Sequence, residues 1–244
     1  MEVYKQDFEV NEKSPNHPIT KADINSHYII KESLENLLPD TFFYSEESEK
    51  ITWEKRRKWK QYWLVDPLDG TREFIKKNGE FTINIALINN LKPILGVVYA
   101  PCFSKIYFAA QGLGSFVKEI NIEDNNFSIK NRSKLIIDNT KVNKNNLRII
   151  SSRSHKNNEK LEEWLKSNKN YEMIYSGSSL KFCLVAEGKA DVYPRFRPTS
   201  EWDTAAGHCV LKEAGGKVKD LNDNEILYNN KESVINPEFI ASRY

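Results

Sequence analysis

This sequence predicts a layered α/β fold. Three observations carry the prediction: short apolar runs with strand-like alternation, longer segments with a helical apolar period, and regular alternation of the two kinds through the second half of the chain. Taking the elements in order, Ile24, Tyr28, Leu34 and Leu38 recur near a 3.6-residue period, so Ile19–Leu38 is expected to be a helix. Thr20-Lys21-Ala22-Asp23 has the form of a helix-start capping box, and Pro39 ends the segment. The polar stretch Ser45–Lys60 is expected to be a surface loop. Tyr62–Val65 reads as a short buried strand ending at Asp66-Pro67. Phe81, Ile83, Ile85 and Leu87 alternate as in a strand; Ile94–Tyr99 and Lys105–Ala110 extend the pattern, and Gly112 and Gly114 mark a turn before Ser115-Phe116-Val117.

Residues 119–146 are rich in Asn, Asp and Lys and read as loop with a weak edge strand. This shift divides a single unit, 1–244, into an expected first half, 1–118, and second half, 147–244. In the second half, strand Leu147–Ser151, helix Asn157–Ser167, strand Tyr171–Tyr175, helix Ser178–Glu187, strand Ala190–Tyr193 and helix Thr204–Ala214 are expected in turn. Gly215-Gly216 stands at the last helix's C-cap, and Lys217–Asp220 starts a further strand.

Composition narrows the function classes. The 244 residues carry 36 Lys and Arg against 34 Asp and Glu, a net charge of +2, so the basic balance of a protein that binds nucleic-acid polymers is missing. At 29% charged and 11% aromatic the chain is expected to fold rather than remain disordered. Cys102, Cys183 and Cys209 are too few and odd in number for a disulfide framework. His17, His27, His155 and His208 are scattered and no C-x-x-C occurs, which argues against structural zinc. The first residues contain no apolar stretch, and nowhere do about 18 apolar residues run together. A soluble, reduced, intracellular protein without a transmembrane segment is expected.

The chemistry gathers in four pieces. In Asp66-Pro67-Leu68-Asp69-Gly70-Thr71, two carboxylates follow a buried strand at one mouth of its sheet. Such turn carboxylates, with a free backbone carbonyl, make a hard oxygen site suited to Mg²⁺; an ordinary Asp-Pro and Asp-Gly turn remains the alternative. Glu46, in Ser45-Glu46-Glu47, could equally be a solvated face. Asp203, in Glu201-Trp202-Asp203-Thr204, could be an N-cap, and Asp23 the capping-box carboxylate.

Together and in order, with WLVDPLDGT, EFI, NGEFT and NIALI within 63–88, KPILGVVYAP at 92–101, GSSLKFCLVAEG at 177–188, YPRF at 193–196 and WDTAAGH at 202–208, the pieces form a recognisable series. The chain resembles the magnesium-dependent, lithium-sensitive phosphatase family that includes inositol monophosphatase, and within it the bacterial 3′(2′),5′-bisphosphate nucleotidases. The resemblance extends from Pro18 onward. The resemblance implies a further helix before the polar segment Glu9–Pro18, which the sequence as given is expected to lack, and this bears on the setting of Asp23.

The resemblance implies an alternating αβαβα sandwich and two or more Mg²⁺ ions per site. The implied metal ligands are Glu46, Asp66, the Leu68 carbonyl, Asp69 and Asp203. Asp66 would bridge two ions, with Glu46 and Leu68 on one and Asp69 and Asp203 on the other. Asp23 and Thr71, with Glu46 beside them, match the groups that position the attacking water, and Gly70 and Thr71 would supply donors to the phosphate. His155, Ser178, Lys181 and Arg195 match contacts to the nucleotide and its second phosphate, although a lone Lys or Arg beside an apolar run is usually a snorkelling surface residue.

The implied reaction is hydrolysis of 3′-phosphoadenosine 5′-phosphate to AMP and phosphate by in-line attack of a metal-activated water, in support of sulfur assimilation. A broader inositol-phosphate or sugar-phosphate phosphatase and a catalytically inactive nucleotide sensor are the other readings. Aspartyl-phosphate phosphatases carry a similar D-x-D-G-T, but Asp66 and Asp69 are three apart rather than two. The expected partner is a small nucleotide bisphosphate, not a nucleic-acid polymer. The expected location is the cytoplasm, where some family members lie on the inner face of the membrane.

Overall fold

Two large sheets with helices between and outside them, and a two-stranded hairpin, make up the computed structural model, which describes residues 1–6, 8–14, 17–120, 128–153, 158–167 and 170–244. A short helix α1 (Glu2–Lys5) and a hairpin of β1 (Val10–Ser14) and β2 (His17–Thr20) lead into α2 (Lys21–Leu37). The helix expected from Ile19 thus begins at Lys21, because Ile19 and Thr20 pair with β1 and Thr20 becomes the N-cap.

The segment Ser45–Lys60 is not all loop, contrary to expectation. Ser45 closes strand β3 (Phe42–Ser45), and helix α3 (Trp53–Arg56) follows with Arg56 buried. Strand β4 (Gln61–Asp69) also continues past Asp66-Pro67. After the one-and-a-half-turn helix α4 (Thr71–Ile75), strands β5 (Thr82–Asn89), β6 (Lys92–Ala100), β7 (Lys105–Ala110), β8 (Gly114–Glu119) and β9 (Ser133–Leu135) complete a seven-stranded sheet in chain order. Only β3 and β4 in it are parallel; β9, inside the Asn- and Lys-rich stretch, is its edge.

The second sheet is built from β10 (Leu147–Ser152), β11 (Tyr171–Ser176), β12 (Val192–Arg195), β13 (Lys217–Asp220) and β14 (Phe239–Ser242), ordered β11-β10-β12-β14-β13. Helices α5 (Glu159–Lys166), α6 (Leu180–Ala186) and α7 (Glu201–Glu213) connect them. Relative to expectation, β12 begins two residues later, and α7 begins three residues earlier, which places Asp203 inside the helix rather than at its N-cap. Strand β14, which no sequence signal marked, runs antiparallel between β12 and β13.

Period-two alternation sets the layers. On β4, Trp63 and Val65 face α2 through Leu34 and Ile30, whereas Tyr62 and Leu64 face the central layer of α6 and α7. The same central cluster takes in Ile150, Tyr193, Phe239 and Ala241 of the second sheet. Leu147, Ile149 and Val192 point outward against Trp164 and Leu165 of α5. The order is therefore α2, seven-stranded sheet, α6 with α7, five-stranded sheet, α5: the expected αβαβα sandwich.

Candidate active site

The site starts with an irregularity in β4. Asp66 pairs with Asn84 and Asp69 with Thr82, so three steps on β4 face two on β5, a bulge of one residue. Pro67 sits in it, where its missing N–H breaks no regular ladder bond. Two bonds fix the bulge: Leu68 N–H donates to Asp66 Oδ1 at 3.0 Å, and Ser26 Oγ of α2 donates to the Pro67 carbonyl at 2.8 Å. The extra residue turns both Asp66 and Asp69 toward the end of the sheet.

Glu46 arrives from the neighbouring strand. Its N–H donates to the Val65 carbonyl at 3.1 Å, continuing the β3–β4 pairing and setting Glu46 beside Asp66. Asp203 arrives from α7 as the third helical residue, with its Oδ2 accepting from Ser200 N–H at 2.9 Å. One carboxylate oxygen each from Glu46, Asp66 and Asp203 lies within 4.8 Å of the others. Burial, then the charges of Glu46, Asp69 and Asp203, pushes the Asp66 carboxyl well above its usual range; Asp203 is raised likewise by burial and by Asp69 and Glu46.

Asp69 has a different setting. Its Oδ2 accepts from Ser179 N–H and Ser178 Oγ, both at 2.7 Å, and from Asn84 Nδ2 at 3.3 Å. Ser179 Oγ in turn donates to Asn84 Oδ1 at 2.6 Å, and Thr82 Oγ1 donates to the same oxygen at 3.1 Å. Ser178, expected to touch the nucleotide, both lines the cleft and holds Asp69.

Across the bulge, Asp23 Oδ2 accepts from Thr20 N–H at 2.8 Å and Thr20 Oγ1 at 2.6 Å. Thr71 Oγ1 donates to Asp23 Oδ1 at 3.3 Å, so the two are in contact across 48 residues of chain. Gly70 precedes Thr71 with φ +91°, a left-handed turn that a side chain would resist.

A cleft of about 280 Å³ opens over these groups, with Glu46, Asp69, Thr71, Ser178, Lys181, Arg195 and Asp203 in its lining. Lys181 is 4% exposed, and so is not the snorkelling surface residue of the alternative reading. Its ammonium donates to the Ser178 carbonyl and lies 5.3 Å from the Tyr193 ring centre. Burial, then the charge of Arg195, lowers its pKa to about 8. Arg195 is fixed by donating to the Arg197 and Pro198 carbonyls at 3.0 and 2.9 Å and to Ser152 Oγ at 2.8 Å. His155 lies outside the described residues.

Sequence reasoning missed Thr82, Asn84, Ser179 and Ser152. Thr82 and Asn84 did carry a signal, since they share the inward face of β5 with Ala86 and Ile88, and polar residues on a buried face need partners. The donor set of the cluster, three carboxylates, is the all-oxygen chemistry that hard divalent cations take, and burial together with the neighbouring carboxylates raises the carboxyls of Asp66 and Asp203.

Known proteins share this architecture throughout. The profile of the inositol monophosphatase family matches residues 1–243. The 3′(2′),5′-bisphosphate nucleotidase CysQ of Escherichia coli K12 is 45% identical over 251 aligned positions, covering 100% of this chain and 94% of that protein. The crystal structure of CysQ from Bacteroides thetaiotaomicron superimposes with a TM-score of 0.85 at 40% identity, over 100% of this chain and 91% of that one. An inositol monophosphatase/NADP phosphatase crystallised with Mg²⁺ and phosphate, 19% identical, shares the fold at a TM-score of 0.75 over 97% of this chain and 82% of that one. With the family profile matched over residues 1–243 and a relative 45% identical along the whole chain, the chain belongs to the inositol monophosphatase family.

Proposed function

We propose that this protein hydrolyses 3′-phosphoadenosine 5′-phosphate to AMP and phosphate. The observation that carries the reading is one cleft in which a carboxylate cluster faces a buried lysine and a fixed arginine. The cluster suits a divalent cation; Lys181 and Arg195 suit a further phosphate, which a bisphosphate has and inositol monophosphate lacks. The nucleotidase relatives support the same choice. The first half, 1–118, supplies most of the cation site, and the second half, 147–244, reads the substrate, with Asp203 as the second half's contribution to the cation site.

Glu46, Asp66, Asp69, Asp203 and the Leu68 carbonyl are the groups that would hold Mg²⁺, in two or more ions. Bound there, Mg²⁺ would lower the pKa of the attacking water and offset charge on the phosphate oxygens. Thr71 donates its proton to Asp23, which leaves the Thr71 oxygen free to accept one from water and so to aim a lone pair at phosphorus. Asp23 is held for this by Thr20. Attack breaks the bond between phosphorus and the ribose 3′-oxygen, which leaves and takes up a proton as AMP is formed. Lys181 and Arg195 hold the 5′-phosphate in place.

Among the described residues, no helix is long and apolar enough to cross a membrane. We place the protein in the cytoplasm, acting on a free nucleotide. Phosphate release from 3′-phosphoadenosine 5′-phosphate, beside inositol 1-phosphate, with Mg²⁺ and with added Li⁺, tests the reading. Fast, Mg²⁺-dependent, Li⁺-inhibited release from the nucleotide is expected. Equal or faster release from inositol 1-phosphate would overturn the assignment of Lys181 and Arg195.

A further inference from the structure

Two residues have no part in the chemistry above: Glu80, in the recognised motif Asn78-Gly79-Glu80-Phe81-Thr82, and Arg153, directly after β10. The fold brings them together at the rim of the cleft. Arg153 Nε and Nη2 donate to Glu80 Oε2 and Oε1 at 2.7 and 2.8 Å, a bidentate pair, and Nη2 also donates to the Tyr175 carbonyl at 2.8 Å. Glu80 Oε2 further accepts from Gly177 N–H at 2.9 Å. The pair therefore ties the chain just before β5, in the first sheet, to the turn that leaves β11 in the second.

Backbone packing converges on the same point. A Cβ on Gly177 would lie 2.6 Å from the Glu80 carbonyl oxygen and 2.8 Å from Glu73 Cγ, so only glycine allows this approach. A Cβ on Gly70 would lie 3.3 Å from that same carbonyl oxygen and 3.4 Å from Ser178 Cβ. The Asp69-Gly70 turn and the Gly177–Ser179 turn thus meet on the backbone of Glu80. From the second turn, Ser178 Oγ and Ser179 N–H both reach Asp69 Oδ2.

We propose that Glu80 and Arg153 are positioning residues for the cation site: their clasp seats the Gly177–Ser179 turn, whose two donors orient Asp69 toward the carboxylate cluster. The proposal rests on the reading that the cluster binds a divalent cation. A half-exposed ion pair ordinarily adds little to stability. This one is bidentate and shares its carboxylate with a backbone N–H, so what it supplies is direction. Partners that orient metal ligands typically change metal affinity by roughly 10–100-fold when removed.

Calorimetric titration of the full chain with MgCl₂, together with melting in EDTA, tests this. The proteins compared are wild type, Arg153→Ala, Arg153→Lys and Glu80→Ala. Arg153 is 48% exposed, so its replacement leaves the core intact. Arg153→Ala is expected to weaken Mg²⁺ binding roughly tenfold, and Glu80→Ala, which loses both arms of the clasp, by more. Arg153→Lys, without the planar fork, falls between wild type and Arg153→Ala. Melting of the Arg153 variants in EDTA stays close to wild type. Unchanged Mg²⁺ affinity in Arg153→Ala and Glu80→Ala, whatever happens to melting, would reduce the clasp to a structural pair and overturn the proposal. If the wild type itself takes up no Mg²⁺, the reading of the cluster fails first and the proposal falls with it; that result is distinct from equal binding by all four proteins.

Discussion

At the start of α2, Thr20 N–H donates to Asp23 Oδ2 at 2.8 Å; at the start of α7, Ser200 N–H donates to Asp203 Oδ2 at 2.9 Å. Both carboxylates are the third residue of a helix reaching back to its cap, and both have a second oxygen left for other work. Their surroundings differ. Asp23 meets donors, the hydroxyls of Thr20 and Thr71, whereas Asp203 meets the carboxylates of Glu46, Asp66 and Asp69. One local motif thus yields a carboxylate satisfied by hydroxyl donors and a carboxylate set among like charges, and the tertiary neighbours decide which.

The largest effect that sharpens this contrast is on turnover. Asp203→Asn should lower kcat/KM by roughly 10³-fold or more, because the cation's charge stabilisation is worth several kcal/mol. Asp23→Asn should cost about 10²-fold, in the range of general acid–base assistance, and should leave Mg²⁺ uptake intact. Steady-state phosphate release at saturating and limiting Mg²⁺ separates the two.

Substrate choice comes next. Lys181→Ala should lower kcat/KM for the bisphosphate by about 10–100-fold, the contribution of a hydrogen bond to a charged group, and affect a monophosphate little. With a pKa near 8, Lys181 loses its charge on the alkaline side, so KM for the bisphosphate should rise between about pH 7 and about pH 9. Lys181→Arg, which keeps its charge, should flatten that rise.

Stability offers a finer test. Asp66 and Asp203 have carboxyls raised by burial and by the neighbouring carboxylates of Glu46 and Asp69, so the protonated forms stabilise the fold and this contribution is lost as pH rises through the raised values. In EDTA, melting should therefore fall from mildly acid to neutral pH, and Mg²⁺ should reverse most of the fall; thermal scans across pH measure it. Asp203→Asn should melt higher than wild type in EDTA, since it removes one of the repelling charges and keeps an acceptor for the cap. The smallest effect is at the other cap, where Thr20→Ala should cost about 1 kcal/mol, or roughly 2–4 °C.

Much of this could be read from the residues before any geometry. Apolar alternation marked β5 to β8, and the Thr20–Asp23 capping box marked the start of α2. Asp66 and Asp69 stood out because two carboxylates around Pro67 cannot continue a regular strand. What stayed hidden depended on partners distant in the chain. Strand β14 has no alternation of its own strong enough to see; it forms because β12 and β13 offer two open edges. Helix α3 is held by Arg56, whose Nη1 reaches Asn229 Oδ1 at 2.6 Å, a contact no local window contains. The Ser178–Ser179 donors on Asp69 likewise join positions 109 and 110 residues apart.

The most direct measurement is calorimetric titration with Mg²⁺ of wild type, Asp203→Asn and Asp23→Asn. Uptake by wild type and Asp23→Asn, with uptake lost or greatly weakened in Asp203→Asn, is the predicted result. Loss in Asp23→Asn with uptake retained in Asp203→Asn would contradict the division of labour between the two caps.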